Sequence, residues 1–483
     1  MKTWLISELM ERSGVAFGTS GARGTVEAMT STVCYAYTRA FIQAMEADNA
    51  LTQGRDILLA GDLRDSTPRI LVAVAKAVED AGYKAVYTGQ LPTPAVVFHA
   101  MQHNNASIMV TGSHIPDDRN GIKFNRPDGE ILKRDEARIR ECRVEVPDDL
   151  PDFTGDELPA IDPAATDAYL ERYLGFFDRT ALAGMRVGLY EHSGVARDLL
   201  YTLLTGLGAE VTRLARSEQF IPVDTEAIRE EDVRLAREWI VDSGFDAIVS
   251  TDGDADRPLI ADEQGNWLRG DIVGILCASY LGIDIVVTPV SSNSAVENYG
   301  LFEKVCRTRI GSPYVIEQMN DELANGKVAG YEANGGFLLA SAVMLDGSML
   351  APLPTRDAVL PILTILAAAH GQGCPVSALL TDLPPRFTAS GRLKDFPSEM
   401  ARAKIAVLAD SLDTIERQFG GLCGKVREID QTDGLRIHFI NGEIIHLRPS
   451  GNAPELRCYN EAATSERATA LNASCLASLA AWR

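Results

Sequence analysis

The segment with the most reactive composition is DGDADRP, which follows the hydrophobic run AIVS. Its three carboxylates, Asp252, Asp254 and Asp256, are separated only by glycine and alanine, so they can converge on one cation without crowding. Such oxygen ligands suit Mg²⁺, which takes few carboxylates and leaves room for a phosphate oxygen. A calcium EF-hand loop is the main alternative, because Glu263 falls at its twelfth position. The sixth position, however, is Arg257 instead of glycine, and a strand precedes the loop. The segment therefore predicts a magnesium site, with Arg257 indicating a phosphate ligand.

A second candidate segment is MVTGSHIPDDRNGIKF, which begins at Met109. Ser113 follows the buried run ASIMV on a loop that begins with a flexible glycine, His114 is adjacent, and Lys123 lies ten residues further on. These residues alone are consistent with an ordinary turn or with a serine held in place for chemistry.

Three weaker segments carry polar groups on glycine-rich turns. HLRPSGNAPELRCY could bind a phosphate through backbone N–H groups and arginine, and FGTSGARG could present an arginine on a flexible loop. EANGG offers a carboxylate and an amide suited to sugar hydroxyls. Taken singly, each is also explained as a connecting turn. Their candidate residues are Arg448, Ser450, Gly451, Asn452 and Arg457, then Arg23, then Glu332 and Asn334.

The elements that position these segments alternate between strand-like and helix-like runs, which is typical of α/β units with mainly parallel sheets. Proline-rich and glycine-rich stretches divide the pattern, and after residue 384 it changes to alternating strands followed by a helix. We expect three α/β domains and one C-terminal α+β domain. Their predicted bounds are 1–153, 154–266, 267–384 and 385–483.

Composition excludes several classes of partner. The formal net charge of −21 repels nucleic acid and anionic membranes, so an anionic substrate needs a local basic pocket. The longest apolar run, Ala358–Ala369, contains Pro361 and is too short to span a bilayer. Residues 1–13 predict a short amphipathic helix and no signal peptide. Eight scattered cysteines with no C-x-x-C pair indicate reduced thiols, so we expect a cytoplasmic protein.

Taken in order, FGTSGARG, TGSHIPDDRNGIKF, DGDADRP, EANGG and RPSGNAP resemble the motifs of the α-D-phosphohexomutase superfamily. The motifs extend over nearly the whole chain, and TGSH-x-P followed by DGDADR is the most specific pair. The resemblance implies four domains around a central cleft, each contributing one loop. It further implies a Mg²⁺-dependent isomerase that interconverts hexose 1-phosphate and hexose 6-phosphate through a hexose 1,6-bisphosphate.

The resemblance also implies a role for each candidate residue. Ser113 would be the phosphoserine and would complete the Mg²⁺ site with the three aspartates. Lys123 and His114 would transfer a proton or stabilise charge, while Arg23 and Arg257 would steady the phosphoryl group. The remaining residues would bind substrate: Glu332 and Asn334 the sugar hydroxyls, Arg309 an extra phosphate or hydroxyl, and Arg448, Ser450, Gly451, Asn452 and Arg457 the second phosphate.

Two motifs depart from the superfamily pattern. Many members have E-x-S-G-H in the sugar loop, where this chain has Asn334 and Gly336 in place of serine and histidine. Many have S-x-T-E-P in the phosphate loop, where Asn452 and Ala453 stand instead. Asparagine can still donate to phosphate. These departures make the sugar preference difficult to infer from the motifs.

Several functions remain open at the level of sequence. Phosphomannomutase activity is our first choice, and phosphoglucomutase or dual activity is the alternative, because the two sugars differ only at C2. Phosphoglucosamine mutase fits less well. A non-catalytic sugar-phosphate sensor and a phosphatase that releases the serine phosphate to water represent different classes. Oligomeric state is not indicated.

Overall fold

The computed structural model describes residues 1–18, 21–450 and 454–482. Its strands form four main sheets, each drawn from one stretch of the chain. Three of these sheets mix parallel and antiparallel pairs, and the last is antiparallel throughout. The expected α/β class with a distinct C-terminal α+β domain is confirmed.

The first unit contains the longest sheet. Its elements are β1 (Lys2–Leu5), α1 (Ile6–Ser13), β2 (Ala16–Phe17), β3 (Ala22–Thr25), α2 (Ser31–Ala47), β4 (Asp56–Gly61), α3 (Thr67–Asp80), β5 (Lys84–Gln90), α4 (Thr93–Gln102), β6 (Ala106–Val110), β7 (Arg119–Arg126), β8 (Gly129–Glu130), α5 (Lys133–Glu141) and β9 (Arg143–Val146). The strand order is β2-β3-β7-β6-β4-β5, with β8 on β7. β4 is parallel to β5 and β6, and its residues after Asp56 are all buried, as expected of a central strand.

The N-terminal prediction needs a correction. Residues 1–13 do not form one helix, because Lys2–Leu5 pairs with Arg143–Val146 as an antiparallel ribbon and the helix begins only at Ile6. This pairing joins residues far apart in the chain, so the local amphipathic pattern does not reveal it.

The second unit has a four-stranded sheet. Its elements are α6 (Ala164–Leu174), β10 (Arg186–His192), α7 (Arg197–Gly206), β11 (Glu210–Arg216), α8 (Glu230–Ser243), β12 (Ala247–Thr251) and β13 (Pro258–Ala261). The order is β11-β10-β12-β13, and only the β12–β13 pair is antiparallel. The turn between these two strands is the DGDADR segment, at the carboxyl end of β12. A parallel sheet commonly presents its functional loops at this edge.

The third unit follows the same plan with five strands in the main sheet. Its elements are α9 (Gly270–Tyr280), β14 (Ile285–Pro289), α10 (Ala295–Asn298), β15 (Lys304–Thr308), α11 (Ser312–Glu322), β16 (Val328–Tyr331), β17 (Phe337–Leu339), β18 (Val343–Leu345), β19 (Ser348–Leu350), β20 (Leu353–Asp357), α12 (Val359–Gln372) and a 3₁₀ helix (Val376–Leu380). The order is β15-β14-β16-β17-β20, while β18 and β19 form a separate hairpin. Pro361 is tolerated because it lies in the first turn of α12, where N–H groups lack helical partners.

The fourth unit is an antiparallel sheet in the order β21-β25-β24-β23-β22. Its elements are β21 (Phe387–Leu393), α13 (Ser398–Ala409), α14 (Leu412–Cys423), β22 (Val426–Asp430), β23 (Leu435–Phe439), β24 (Ile444–Pro449), β25 (Leu456–Ala462) and α15 (Ser465–Ala480). Thr464 caps α15 by accepting a hydrogen bond from the backbone N–H of Arg467.

The apolar core explains how the units are held together. One cluster of buried side chains runs from α4 through the second and third units, whereas the fourth unit packs around a cluster of its own. A polar contact reinforces the shared core, because Asp357 accepts hydrogen bonds from the hydroxyls of Tyr169 and Tyr173. No helix in the described ranges is long and apolar enough to cross a membrane.

Candidate active site

Ser113 lies in the turn after β6 and is completely buried. Its Oγ donates to Oδ2 of Asp252 at 2.6 Å and lies 3.2 Å from Nδ1 of His114. The φ angle of Ser113 is +57°, in the left-handed region that disfavours residues other than glycine. Such strain persists only where surrounding contacts hold it, and it is typical of functional turns.

Asp62 and Arg64, which follow β4, hold this turn in place. Asp62 Oδ2 accepts from Thr111 Oγ1 at 2.8 Å and from the Gly112 N–H at 3.2 Å. Arg64 Nη2 donates to the Ser113 carbonyl at 3.1 Å. A Cβ atom on Gly112 would lie 2.6 Å from Arg64 Cζ. The glycine is therefore required by the close approach of the guanidinium group and not by flexibility.

The three aspartates converge as the sequence predicts. Asp252, Asp254 and Asp256 are buried, and one carboxylate oxygen of each lies within 4.8 Å of the other two. Asp254 Oδ1 and Asp256 Oδ1 have no hydrogen-bond partner among the residues that the structure describes. Because a buried carboxylate oxygen without a donor is costly, these atoms fit a hard divalent cation. Ala255, between two of them, also has a positive φ of +56°.

Three protein cations, Lys123, Arg356 and Arg257, also lie close to these carboxylates. Lys123 Nζ lies 2.5 Å from Asp254 Oδ2 and 2.6 Å from Asp256 Oδ2, and Arg356 Nη2 lies 2.9 Å from Asp256 Oδ2. Burial, together with the charges of Asp256 and Asp254, raises the pKa of Asp252. Burial would also raise the pKa of Asp256, but the charges of Arg356 and Lys123 outweigh it and hold that pKa below its usual range.

His114 is neutral in this environment. Burial and the charge of Arg257 lower the pKa of His114 to about 2. Its Nδ1 accepts a hydrogen bond from Arg257 Nη1 at 2.9 Å. Arg257 Nε also lies 3.5 Å from Asp256 Oδ1 and 3.8 Å from Asp252 Oδ2. The ring therefore lies between Arg257 and Ser113 and carries no charge near neutral pH.

Arg23 lies near Arg257 and Arg356, and it is part of a strand. We expected a flexible loop, whereas β3 places Arg23 opposite Gly121 of β7 in an antiparallel ladder. Burial and the charges of Arg257 and Arg356 lower the pKa of Arg23 to about 10. The expectation failed because the pairing partner of β3 lies about a hundred residues further along the chain. Thr19 and Ser20 of the same motif lie outside the described residues.

The predicted sugar-binding pair is engaged within the protein. Glu332 is buried, and its Oε2 lies 3.1 Å from Arg356 Nη1. Asn334 Oδ1 accepts from the Gly336 N–H at 3.0 Å, and its carbonyl accepts from Thr225 Oγ1 at 2.7 Å. Arg356 therefore connects the sugar loop to the aspartate cluster.

The predicted second phosphate site lies on the fourth unit. Arg457 faces a cavity that His114 and Arg257 also line, so one space extends from this unit to the residue next to Ser113. Arg448 Nε instead donates to Asp433 Oδ2 at 2.8 Å, and Ser450 is buried at the end of β24. The predicted residues Gly451 and Asn452, with Ala453, lie outside the described part of the chain.

Arg309 lies apart from the aspartate cluster. It is exposed, and its Nε donates to the Thr432 carbonyl of the fourth unit at 3.2 Å. In this arrangement Arg309 connects the third and fourth units.

Sequence reasoning missed several residues of the site. Arg64 and Asp62 could have been found, because polar residues directly after a buried parallel strand commonly line functional edges. Arg356 could have been suspected from the charged pair Arg356-Asp357 beside an apolar run. Nothing in the local pattern indicates that Thr93 donates to Asp254.

Family comparisons match the chain over most of its length. Models of the phosphoglucomutase/phosphomannomutase family match it in four successive parts. They are alpha/beta/alpha domain I at residues 14–145, domain II at 167–265, domain III at 269–387 and the C-terminal domain at 397–477.

Individual relatives give the same result. A phosphomannomutase of Salmonella muenchen is 46% identical over 463 residues, which cover 95% of each chain. A phosphomannomutase of Sinorhizobium fredii is 43% identical over 471 residues, covering 96% of this chain and 99% of the relative. The crystal structure of a phosphoglucomutase/phosphomannomutase family protein from Burkholderia thailandensis covers 96% of this chain and 97% of its own, with a TM-score of 0.74. At 18% identity, that structure supports the fold alone.

Proposed function

We propose a function from one premise: the chain belongs to the phosphoglucomutase/phosphomannomutase family. The protein is an isomerase that interconverts hexose 1-phosphate and hexose 6-phosphate, with mannose as the preferred sugar. The observation that carries the chemistry is the 2.6 Å hydrogen bond from Ser113 Oγ to the buried aspartate cluster. The choice of mannose is supported by the two phosphomannomutases that are 46% and 43% identical.

In the proposed cycle Ser113 carries a phosphoryl group. The bond between phosphorus and Ser113 Oγ breaks as a new bond forms to a hydroxyl oxygen of the hexose phosphate. The sugar hydroxyl loses its proton and Ser113 Oγ gains one, so Ser113 returns to a free hydroxyl. The resulting hexose 1,6-bisphosphate turns round in the cleft and returns its other phosphate to Ser113. Phosphoryl transfer of this kind depends mainly on alignment and on neutralisation of charge.

Asp252, Asp254 and Asp256 would hold a Mg²⁺ ion, with the phosphorylated Ser113 beside them. When bound, the ion supplies positive charge to the phosphoryl oxygens. The fit rests on the buried Oδ1 atoms of Asp254 and Asp256, which accept no hydrogen bond from the described residues.

Charge stabilisation is the role we propose for Lys123. Its ammonium group donates to two carboxylates at once, so it has no lone pair with which to accept the sugar proton. His114, with a pKa lowered to about 2 by burial and by Arg257, is also a poor proton acceptor. We propose that His114 orients Arg257, and that Arg257 and Arg23 steady the phosphoryl group.

The second phosphate would bind at the fourth unit. Arg457 faces the shared cavity, and Arg448, Ser450, Gly451 and Asn452 come from the neighbouring stretch of sequence. Glu332 and Asn334 remain proposed sugar contacts and Arg309 a further phosphate or hydroxyl contact, each after release from its present partner. We also retain the domain bounds 1–153, 154–266, 267–384 and 385–483, and a cytoplasmic location, as proposals.

Initial rates with mannose 1-phosphate and glucose 1-phosphate test the function, each with Mg²⁺ and a trace of the bisphosphate. Faster isomerisation of mannose 1-phosphate is expected, and equal rates would make the enzyme a dual mutase. If neither sugar is isomerised, glucosamine 1-phosphate is the next substrate to test, and a non-catalytic sensor is the next functional class to consider. Release of free phosphate in place of isomerisation would indicate a phosphatase. A Ser113→Ala variant that kept full isomerase activity would refute the phosphoserine cycle.

A further inference from the structure

The cavity between His114 and the fourth unit has a volume of about 380 Å³, within the range of small-molecule sites. His114 and Arg257 line it from the first and second units, and Arg392 and Arg457 line it from the fourth. The arginines suit phosphate groups. A hexose phosphate also has several hydroxyl groups, which need acceptors on the cavity wall.

The acceptors predicted from sequence do not line this cavity. Glu332 is buried in its ion pair with Arg356, and the Asn334 side chain accepts a hydrogen bond within its own turn. The carboxylates on the cavity wall are instead Asp224 and Glu226, from the segment between β11 and α8.

Of these two carboxylates, Glu226 offers both of its oxygens to a ligand, whereas Asp224 has one oxygen engaged. Asp224 Oδ1 accepts from the backbone N–H groups of Glu226 at 2.9 Å and Ala227 at 3.2 Å, which commits that oxygen to the turn. The Glu226 side chain is exposed to the cavity and has no hydrogen-bond or ion-pair partner within the ranges that the structure covers.

The segment that carries Glu226 is anchored on both sides. The Phe220 ring lies 3.8 Å from the Arg64 guanidinium, which holds the serine turn. Thr225 Oγ1 donates to the Asn334 carbonyl at 2.7 Å, and Thr225 is buried. Glu226 is thus attached to a backbone fixed against both the serine loop and the sugar loop.

The charges around Glu226 agree with a ligand-binding role. Desolvation within the cavity and the charge of Asp224 raise the pKa of Glu226, while Arg257, Arg269 and Arg457 oppose this shift. A carboxylate among arginines, without a short ion pair to any of them, can accept a hydroxyl hydrogen bond. It also repels phosphate from its own part of the wall.

We propose that Glu226 is a substrate-binding residue whose carboxylate accepts a hydrogen bond from a ring hydroxyl of the bound hexose phosphate. This inference rests on the proposed function. It assigns sugar recognition in the cleft to the segment between β11 and α8, in addition to the EANGG loop.

The test combines a neutral variant with substrates that lack one hydroxyl each. Glu226→Gln is compared with wild type on mannose 1-phosphate and on its 2-deoxy, 3-deoxy and 4-deoxy analogues. A hydrogen bond to a charged group predicts a fall in kcat/KM of about tenfold to a hundredfold on mannose 1-phosphate. For the analogue without the recognised hydroxyl, wild type and variant should become equal. Glu230→Gln, which removes an exposed charge at the start of α8, is the matched control and should behave as wild type.

Three outcomes would overturn the inference. One is an unchanged kcat/KM in Glu226→Gln on every substrate. Another is an equal fall on all analogues, which would indicate a general loss of charge and no hydroxyl contact. The third is a lower unfolding midpoint in Glu226→Gln that accounts for the lost activity, which would indicate a structural role. The unfolding midpoint of Glu226→Ala checks this independently. Wild type that isomerises none of the sugars would refute the proposed function as well, so the two failures are distinguishable.

Discussion

Arg356 offers the sharpest test of how the site is held together. It is almost completely buried, and it lies 2.9 Å from Asp256 Oδ2 and 3.1 Å from Glu332 Oε2. Replacing it with methionine keeps most of its volume but removes the charge. Asp256 would retain Lys123 and Arg257 nearby, whereas no other cation in the described chain lies within 4 Å of Glu332.

The magnitude follows from the burial of Glu332. Breaking a buried ion pair from one side costs about 3 to 5 kcal/mol, because the remaining charge is neither solvated nor paired. We therefore expect Arg356→Met to lose about that much stability. The double variant Arg356→Met/Glu332→Gln should recover about 2 kcal/mol, because the stranded charge is gone.

Denaturant unfolding followed by circular dichroism, with a chelator present, measures these differences. The matched control is Arg234→Ala, whose pair with Glu238 has side chains 59% and 50% exposed. An exposed pair of this kind should contribute less than about 1 kcal/mol. Equal midpoints for Arg356→Met and Arg234→Ala would refute the reasoning, as would a double variant no more stable than the single one.

Four other predictions concern the same site and its support. Gly336→Ala would place a Cβ atom 2.8 Å from Arg356 Cγ and Cδ, so it should lower the free energy of unfolding by about 1 to 3 kcal/mol. Gly371→Ala, which has open space in α12, is the control and should not destabilise the protein. Burial lowers the pKa of His192 to about 4, below its unfolded value near 6.5. The contribution of His192 to stability is therefore complete above about pH 6.5 and declines towards pH 4. A His192→Gln variant should lose stability less steeply over that pH range, and an unchanged slope would contradict the assignment. Mg²⁺ should raise the melting temperature of the wild type, and a chelator should reverse this rise. The double variant Asp254→Asn/Asp256→Asn should respond to neither. An equal rise in that variant would place the ion elsewhere. Ser113→Ala should remove isomerase activity while leaving the Mg²⁺ effect on melting, because the three aspartates remain.

Local sequence patterns are sufficient to identify the segments that carry chemistry and the class of the fold. DGDADRP, with small residues between its carboxylates, required little structural context to predict a converging acidic site, and the aspartates do lie together. The alternation of strands and helices predicts three α/β units and a different final unit. This works because burial of one face of an element imposes a regular spacing of apolar residues, which is visible in the local sequence.

The partners of these segments become visible only in the folded chain. Lys123 and Arg356 neutralise Asp256 across two different units, and Arg64 requires Gly112, although none of these pairs is adjacent in the chain. Glu332 looked free to bind a sugar but is paired with Arg356, while Glu226, on an unremarkable segment, faces the cavity. The physical reason is that electrostatic and steric contacts depend on distance in space, and local sequence patterns report only the element to which a residue belongs.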